Sequence, residues 1–492
     1  MKILLIVPPN VEGQMTDRED RHSGFASGMY PPYTAAQILS ALRLKYSEID
    51  MSAIDGRIDY ISHSSLLSRI DELNPDLIIC LMGVYMIQED RVFAELSYPT
   101  IGVLCPSSVS PREAIELFKL KTPYFTKSEI ENTLVEAVGE FKNKGLIEKS
   151  CGLLINGETG IRDTGDQKTL DISWLPIPAF DMFPMDRYFT YQRDVLKWHW
   201  EFGKNKYMWM VTSKGCVKKC LYCDSSCINP VYKSPRQVVD ELRHYVATYQ
   251  VRHFDFFDSE FTVNPKRSKD ICRLIFEEKL GITWVAHNIV DFADDELMEL
   301  MSRAGCIKLK YGLETGDDNI KRKINKPWTM QQAHKAFSLT KKYGMKVHAN
   351  FMVGFLGENR ESLKKTYKAF MELKPDIACS SILFPSPGSK FYYELKKEGL
   401  LLETNWSEYK NYRKMIFKHD TYSNWEEIVK NYHWLEQKIA FGLAVNNLFI
   451  NKNQKFIIRI LNVLKSIQLL KRIILKLPYF NKMLVDLMHR TD

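Results

Sequence analysis

The chain reads as an α/β protein in three parts: a doubly wound, Rossmann-like parallel sheet, a partial (β/α)6 barrel, and a mainly helical carboxyl-terminal region. Three observations predict this. Stretches of strand period and helix period alternate through the first 150 residues, the pattern of a parallel sheet with helices on both faces. From Tyr207 the alternation becomes regular over six strand-then-helix units. Near residue 400 it stops, and helical spacing takes over. A chain of 492 residues exceeds what one core usually organises, and the pattern changes divide it into 1–150, 151–200, 201–400 and 401–492.

In the first region, strands are predicted at Ile3–Val7, Ile49–Ile54, Asp76–Met82 and Thr100–Leu104, with helices at Ala35–Lys45 and Ser64–Leu73. The opening apolar run is too short for a signal peptide and is stopped by Pro8-Pro9. No stretch approaches the roughly 20 uncharged apolar residues of a membrane span. Ligands of such sheets bind beyond the carboxyl ends of the strands, here the loops at Pro8-Pro9-Asn10, Gly83-Val84-Tyr85 and Cys105-Pro106-Ser107-Ser108.

Residues 151–200 read as a connector, with a hairpin signal at Asn156-Gly157-Glu158-Thr159-Gly160 and an aromatic cluster, Trp198-His199-Trp200, read as packing. Barrel strands are predicted at 207–212, 253–258, 283–288, 306–314, 346–354 and 376–385, with helices such as Pro235–Tyr249 and Glu361–Leu373. Chemistry in barrels of this kind belongs at the carboxyl ends of the strands. His287-Asn288 and Ser381 to Pro385 are predicted to face that end.

The most informative stretch follows the first barrel strand. Cys216, Cys220 and Cys223 are separated by three and then two intervening residues, a spacing suited to three corners of one iron–sulfur cube, whose fourth iron is then left for a ligand that is not protein. A zinc site and three unrelated thiols are the other readings; structural zinc usually wants two separated ligand pairs. Cys227, four residues further on, is read as non-ligating.

The formal charge of +8 is concentrated at one end: Lys452 to Arg490 holds nine Lys or Arg against one acid, Asp486. The rest is close to neutral, which argues against a nucleic-acid surface. The segment Phe456 to Met488 reads as basic amphipathic helix. It suits either peripheral contact with an anionic membrane surface or packing on the barrel. Trp406, Tyr409, Tyr412, Trp425, Tyr432 and Trp434 are read as core aromatics of a helical region closing the barrel's open side.

At the three cysteines, with Tyr222 before the last, the sequence resembles the radical S-adenosylmethionine (SAM) superfamily. The resemblance implies a [4Fe–4S] cluster on Cys216, Cys220 and Cys223. It also implies SAM chelated at the open iron, and one-electron cleavage of SAM to a 5′-deoxyadenosyl radical. Further motifs match residue by residue: Asp258 and Glu260 of Asp255-Phe256-Phe257-Asp258-Ser259-Glu260 for the polar end of SAM, Glu314 of Gly312-Leu313-Glu314-Thr315-Gly316 for the ribose hydroxyls, and Gly354 for close approach of adenine. A neighbouring lysine such as Lys310 is the competing partner for Glu314.

The amino-terminal region is similar to the cobalamin-binding domain of B12-dependent radical SAM proteins, through Pro8-Pro9-Asn10, Tyr30-Pro31-Pro32-Tyr33 and Pro75-Asp76-Leu77-Ile78. It departs from that pattern at Gly102-Val103-Leu104-Cys105-Pro106 and Thr126-Lys127-Ser128-Glu129. Asp20-Arg21-His22-Ser23-Gly24 nearly matches a cobalt-ligand motif, and His22 is read as a solvated loop histidine instead. The resemblance implies cobalamin as a cofactor, methylation of an unactivated centre, a small-molecule substrate, and a reducing partner such as flavodoxin or ferredoxin; the basic tail points to a lipid-like substrate. Radical cyclisation, rearrangement or ring contraction without methyl transfer is the other enzyme reading. An oxygen-sensitive cluster and the absence of an export signal predict a cytoplasmic protein.

Overall fold

A computed structural model describes residues 1–10, 30–59, 61–105, 109–127, 129–167, 171–194, 202–411 and 414–450. His22, Pro106 to Ser108, Trp198 to Trp200, Tyr412 and the basic tail lie outside the described residues, as does the side chain of Cys227. The chain forms two compact units, Met1–His287 with Glu299–Cys306 and Phe384–Lys418, and Asn288–Met298 with Ile307–Leu383 and His419–Asp492.

The first unit begins with strand β1 (Lys2–Val7), helix α1 (Tyr33–Lys45), β2 (Asp50–Asp55), α2 (His63–Leu73), β3 (Leu77–Gly83), α3 (Ile87–Ala94), β4 (Thr100–Cys105), α4 (Pro111–Phe118), β5 (Tyr124–Thr126), α5 (Ile130–Lys144) and the hairpin β6 (Leu153–Gly157) and β7 (Gly160–Asp163). These strands make one sheet in the order β2-β1-β3-β4-β5-β6-β7. The first five are parallel, and β6 and β7 add antiparallel. The hairpin signal at Asn156–Gly160 is therefore real, and its first strand extends the amino-terminal sheet. Strands β1, β3 and β4 are almost continuously apolar because they are buried throughout, Leu4, Ile6, Leu77, Ile79 and Val103 with no exposed surface. The chain runs from β1 through α1 to β2 on one side of it, then crosses back through α2 to β3 on its other side, so the winding reverses between β1 and β3. Gly102 sits inside β4; a Cβ there would lie 2.6 Å from the Phe125 ring, so this glycine serves strand packing.

After α6 (Met185–Asp194), three parallel barrel strands belong to this unit: β8 (Tyr207–Met210), β11 (His253–Phe256) and β12 (Thr283–Asn288), paired in that order. Between β8 and β11 lie the short pair β9 (Ser213–Lys214) and β10 (Val231–Tyr232) and helix α7 (Pro235–Tyr249). Helix α7 starts at a full capping box, Ser234 with Gln237, with Pro235 at its first position. Helix α8 (Pro265–Glu277) follows β11 and α9 (Asp295–Arg303) follows β12.

The second unit carries the parallel strands β13 (Cys306–Glu314), β14 (Lys346–Val353) and β15 (Ile377–Ile382), with α10 (Asp318–Lys323), α11 (Met330–Lys342) and α12 (Arg360–Leu373) between them. In β14, Val347, Ala349, Phe351 and Val353 are buried, and the residues between them are not, the period of two of a strand with distinct faces. Beyond α13 (Lys390–Lys397), which belongs to the first unit, helix α14 (Trp425–Ile450) packs along β15. The Glu436 carboxylate on α14 accepts from Ser380 N–H at 2.7 Å, satisfying an edge group that water would otherwise take. Trp406 and Tyr409 are buried core residues of the first unit, as expected, whereas Trp425, Tyr432 and Trp434 are only half-buried.

Several strands end before their predicted limits. Val211 and Thr212 leave β8, and Gly354 leaves β14 by adopting a φ of +99°.

Candidate functional site

The cysteine loop begins where β8 ends, and Asp258, just beyond β11, holds that junction. Its Oδ1 accepts from Thr212 N–H at 2.6 Å and Ser213 N–H at 3.0 Å, and its Oδ2 accepts from the Thr212 hydroxyl. The Thr212 carbonyl in turn accepts from Arg267 at 2.8 Å and from Lys233 N–H at 2.9 Å. Thr212 and Asp258 are fully buried, so each of these polar groups needs a partner and has one. Asp258 thereby holds the start of the cysteine loop through the chain's own backbone.

Gly215 then turns the chain at φ +78°, where a Cβ would lie 2.6 Å from the Ile228 carbonyl oxygen; only glycine fits. Around the loop, Cys216 N–H donates to Ile228 O at 3.3 Å, Cys223 N–H to Cys220 O at 3.2 Å, and the Ser226 hydroxyl lies against both the Cys220 and Cys223 carbonyls. From α13, Phe391 N–H donates to Leu221 O at 2.9 Å. Cys216 and Cys220 are buried, Cys223 is half-buried, and all three are free thiols. Lys218 N–H donates to the Cys216 sulfur at 3.4 Å. Among the described residues, no three His, Cys, Asp or Glu converge on a single-ion site. A cube does not require such convergence, since it takes one thiolate at each of three separate corners. Tyr222 and Glu260 are half-buried, Tyr222 within this loop and Glu260 just beyond β11, two residues after Asp258.

An aromatic stack sits beside the loop. Trp209 lies between Tyr30 (3.8 Å between centroids, 25°) and Phe257 (4.3 Å, 3°), and His287 meets Phe257 edge-on. Tyr30 and Tyr33 of the Tyr-Pro-Pro-Tyr motif are thus engaged with the barrel strands. Lys233 Nζ donates to Glu241 Oε2 at 2.6 Å and to the Tyr33 oxygen at 2.7 Å, and the Tyr33 hydroxyl lies 3.0 Å from Glu241 Oε1. Burial, then the Glu241 carboxylate, push the Tyr33 phenol well above its ordinary value and keep it protonated. Lys214 Nζ binds both Glu131 oxygens, at 2.7 and 2.8 Å. A cavity of about 50 Å³ remains among Tyr33, Glu131, Trp209, Lys214, Lys233 and Phe257, room for a water or two. Apart from Tyr33, no sequence motif marks this network, because its partners are up to 208 residues apart.

At the carboxyl ends of the amino-terminal sheet, Pro8 to Asn10 follow β1 and Gly83 to Tyr85 end β3 and continue beyond it, at the point where the winding reverses and where sheets of this kind bind their ligands. Gly56, after β2, packs so closely that a Cβ would lie 2.9 Å from Pro9 N. Arg57 and Asp55, wholly buried, pair at 2.7 Å, and Arg57 also donates to the Tyr30 carbonyl at 3.2 Å. Tyr85 Oη lies 3.2 Å from Ser386 Oγ.

In the second unit, the register shifts between Gly312 and Glu314, and Glu314 takes φ +63°. A bulge with a left-handed non-glycine residue re-aims one side chain at a strand end. Lys326 Nζ donates to Glu314 Oε1 at 2.8 Å; both lie close over Gly312, where a Cβ would clash with them. Gly354 N–H donates to Glu358 Oε1 at 2.8 Å. Glu358 is buried, and burial pushes its carboxyl up to about 7 against the opposing hydrogen bonds from Gly354 and Tyr422.

Residues 210–370 match the radical SAM superfamily. An uncharacterised methyltransferase of Pyrococcus horikoshii is 26% identical over 425 residues, covering 83% of this chain and 86% of its own. The anaerobic magnesium-protoporphyrin IX monomethyl ester cyclase of Rubrivivax gelatinosus is 24% identical over 396 residues, 76% of this chain and 68% of the cyclase. Among solved structures, the radical SAM methyltransferase TsrM of Kitasatospora setae, with cobalamin and a [4Fe–4S] cluster bound, superposes with a TM-score of 0.68 at 16% identity, covering 94% of this chain and 99% of TsrM. The cobalamin-dependent SAM radical enzyme OxsB, with aqua-cobalamin and SAM bound, does so with a TM-score of 0.60 at 16% identity, over 81% of this chain and 55% of OxsB. The chain shares their fold.

Proposed function

We propose that this chain, a radical SAM enzyme by the domain at residues 210–370, cleaves SAM reductively at a [4Fe–4S] cluster and, with cobalamin bound at its amino-terminal sheet, methylates an unactivated centre in a biosynthetic intermediate. One observation carries the cobalamin half of this reading: the strand order β2-β1-β3-β4-β5 opens a crevice at the β1/β3 reversal, in the same chain as the cysteine loop. Agreement of fold with TsrM over nearly the whole of both chains supports it.

The residues present fit the groups required. Cys216, Cys220 and Cys223 supply three thiolates from a loop whose backbone is tied at both ends, so the cluster would be held without ordering the chain on binding. When bound, the cluster supplies the electron for SAM cleavage and cobalamin supplies methyl transfer. The chain's own part is positional. Asp258 and Arg267 fix where the cysteine loop starts. Glu314, steered by the bulge and steadied by Lys326, accepts from the ribose hydroxyls. Gly354 offers backbone without a side chain to adenine. Tyr222 and Glu260 complete the surroundings of SAM. In the amino-terminal sheet, Pro8 to Asn10 and Gly83 to Tyr85 border the corrinoid.

A second reading is favoured by one comparison: the cyclase of R. gelatinosus matches three quarters of the chain, and the same SAM cleavage serves radical ring formation without methyl transfer. Electrons for either would come from a flavodoxin- or ferredoxin-like partner. The substrate is a small or lipid-like molecule. Among the described residues, no helix is long and apolar enough to cross a membrane; the basic tail supports peripheral membrane contact of an otherwise cytoplasmic protein.

The test is anaerobic reconstitution with hydroxocobalamin followed by desalting. About one corrinoid per chain is expected to remain, with a spectrum unchanged in His22→Ala. A protein that cleaves SAM yet retains no corrinoid would remove methyl transfer through cobalamin and leave the second reading.

A further inference from the structure

We infer that the short segment His419–Tyr422 is a latch that fixes the Gly354 turn for SAM, making His419, Tyr422 and Glu358 positioning residues for SAM binding. This rests on the SAM-dependent reading above and concerns residues that no motif marks.

Gly354 ends β14 with φ +99°. A Cβ there would meet only Ile428, Ile382 and Leu383 at 3.6 to 3.8 Å, ordinary contact. The glycine is thus required by its backbone conformation and not by lack of space. Both of its polar groups are taken from within the unit. Its N–H donates to Glu358 Oε1 at 2.8 Å, and its carbonyl accepts from His419 Nε2 at 3.0 Å. The direction of the second bond follows from the other ring nitrogen. Thr421 N–H donates to His419 Nδ1 at 3.3 Å, so Nδ1 is the acceptor and the proton sits on Nε2.

The same segment reaches the turn twice more. Tyr422 Oη donates to Glu358 Oε1 at 2.7 Å, the oxygen that holds Gly354 N–H, and Asp420 Oδ1 accepts from Gly357 N–H at 2.7 Å. The His419 side chain is wholly buried, and its ring packs on Tyr422 at 4.7 Å. A connection needing only to cross the strand ends would cover them more cheaply with apolar side chains, since burying polar groups is favourable only when all are paired. Four directed hydrogen bonds onto residues 354–358 instead specify one backbone conformation. With both polar groups of Gly354 committed, its bare Cα is the part left for a ligand. The latch lies 65 residues from Gly354 in sequence and comes from beyond the barrel strands, so the carboxyl-terminal region contributes to the SAM site through Gly354.

The experiment is equilibrium binding of labelled SAM to the anaerobically reconstituted full chain, with iron content and thermal midpoint measured on each protein. His419→Leu and Tyr422→Phe are expected to weaken SAM binding by about three- to tenfold, the value of one net hydrogen bond, with iron content unchanged. His419→Gln, whose amide reaches the same carbonyl, is expected to bind within about twofold of wild type. Tyr422→Phe keeps the ring and loses one hydroxyl, so it reports even if His419→Leu does not fold. Variants with full iron that bind SAM as tightly as wild type would overturn the latch, as would His419→Gln binding no better than His419→Leu. If the loaded wild type itself binds no SAM, the proposed function fails and the latch with it.

Discussion

Replacing Cys216, Cys220 and Cys223 together with Ala is expected to reduce bound iron from about four per chain to background and to abolish SAM cleavage. The protein should still fold. The loop's shape comes from Gly215, from backbone bonds of Cys216 and Cys223, and from Phe391 on Leu221, none of which uses a sulfur. Cys227→Ala is the control and should keep both iron and turnover, because a fourth protein thiolate would close the iron that SAM needs. Loss of the cluster in Cys227→Ala would overturn the ligand assignment. A folded triple variant that still carried a full cluster would do the same.

Asp258→Ala should have the second-largest effect, and it separates a loop-holding role from contact with SAM. The substitution strands Thr212 N–H and Ser213 N–H, both buried, without an acceptor. Each such group costs about 1–3 kcal/mol. The expected result is a fall in thermal midpoint together with loss of most of the iron, since the misplaced residues lead directly into Cys216. Asp258→Asn keeps the oxygen that accepts both N–H groups and turns an amide toward a hydroxyl able to accept from it. It should retain the cluster. Full iron loading in Asp258→Ala, with only SAM affinity lost, would return Asp258 to the place the sequence suggested.

The order of strands and helices was legible because parallel strands buried on both faces are continuous apolar runs and the helices between them are strongly periodic. Pro235–Tyr249 is the helix the periodicity predicted. The three cysteines were legible because their spacing is local. What the sequence hid is what the fold brings together from afar. Lys326 reaches Glu314 because the chain after α10 returns over Gly312. Lys233 meets Tyr33 and Glu241 across 200 and 8 residues. His419 meets Gly354 across 65. The bonds from Asp258 to Thr212 and Ser213 were hidden too, because a carboxylate at a strand's carboxyl end suits a ligand and a buried turn equally.

The central claim is that this fold spends SAM in radical chemistry coupled to methyl transfer. It is tested most directly by the fate of SAM on anaerobic protein loaded with cluster and cobalamin and reduced with dithionite, read as products by chromatography and mass spectrometry. The expected result is 5′-deoxyadenosine together with S-adenosylhomocysteine, both lost in the triple cysteine variant. Neither product from a protein with full iron and bound corrinoid would contradict the account.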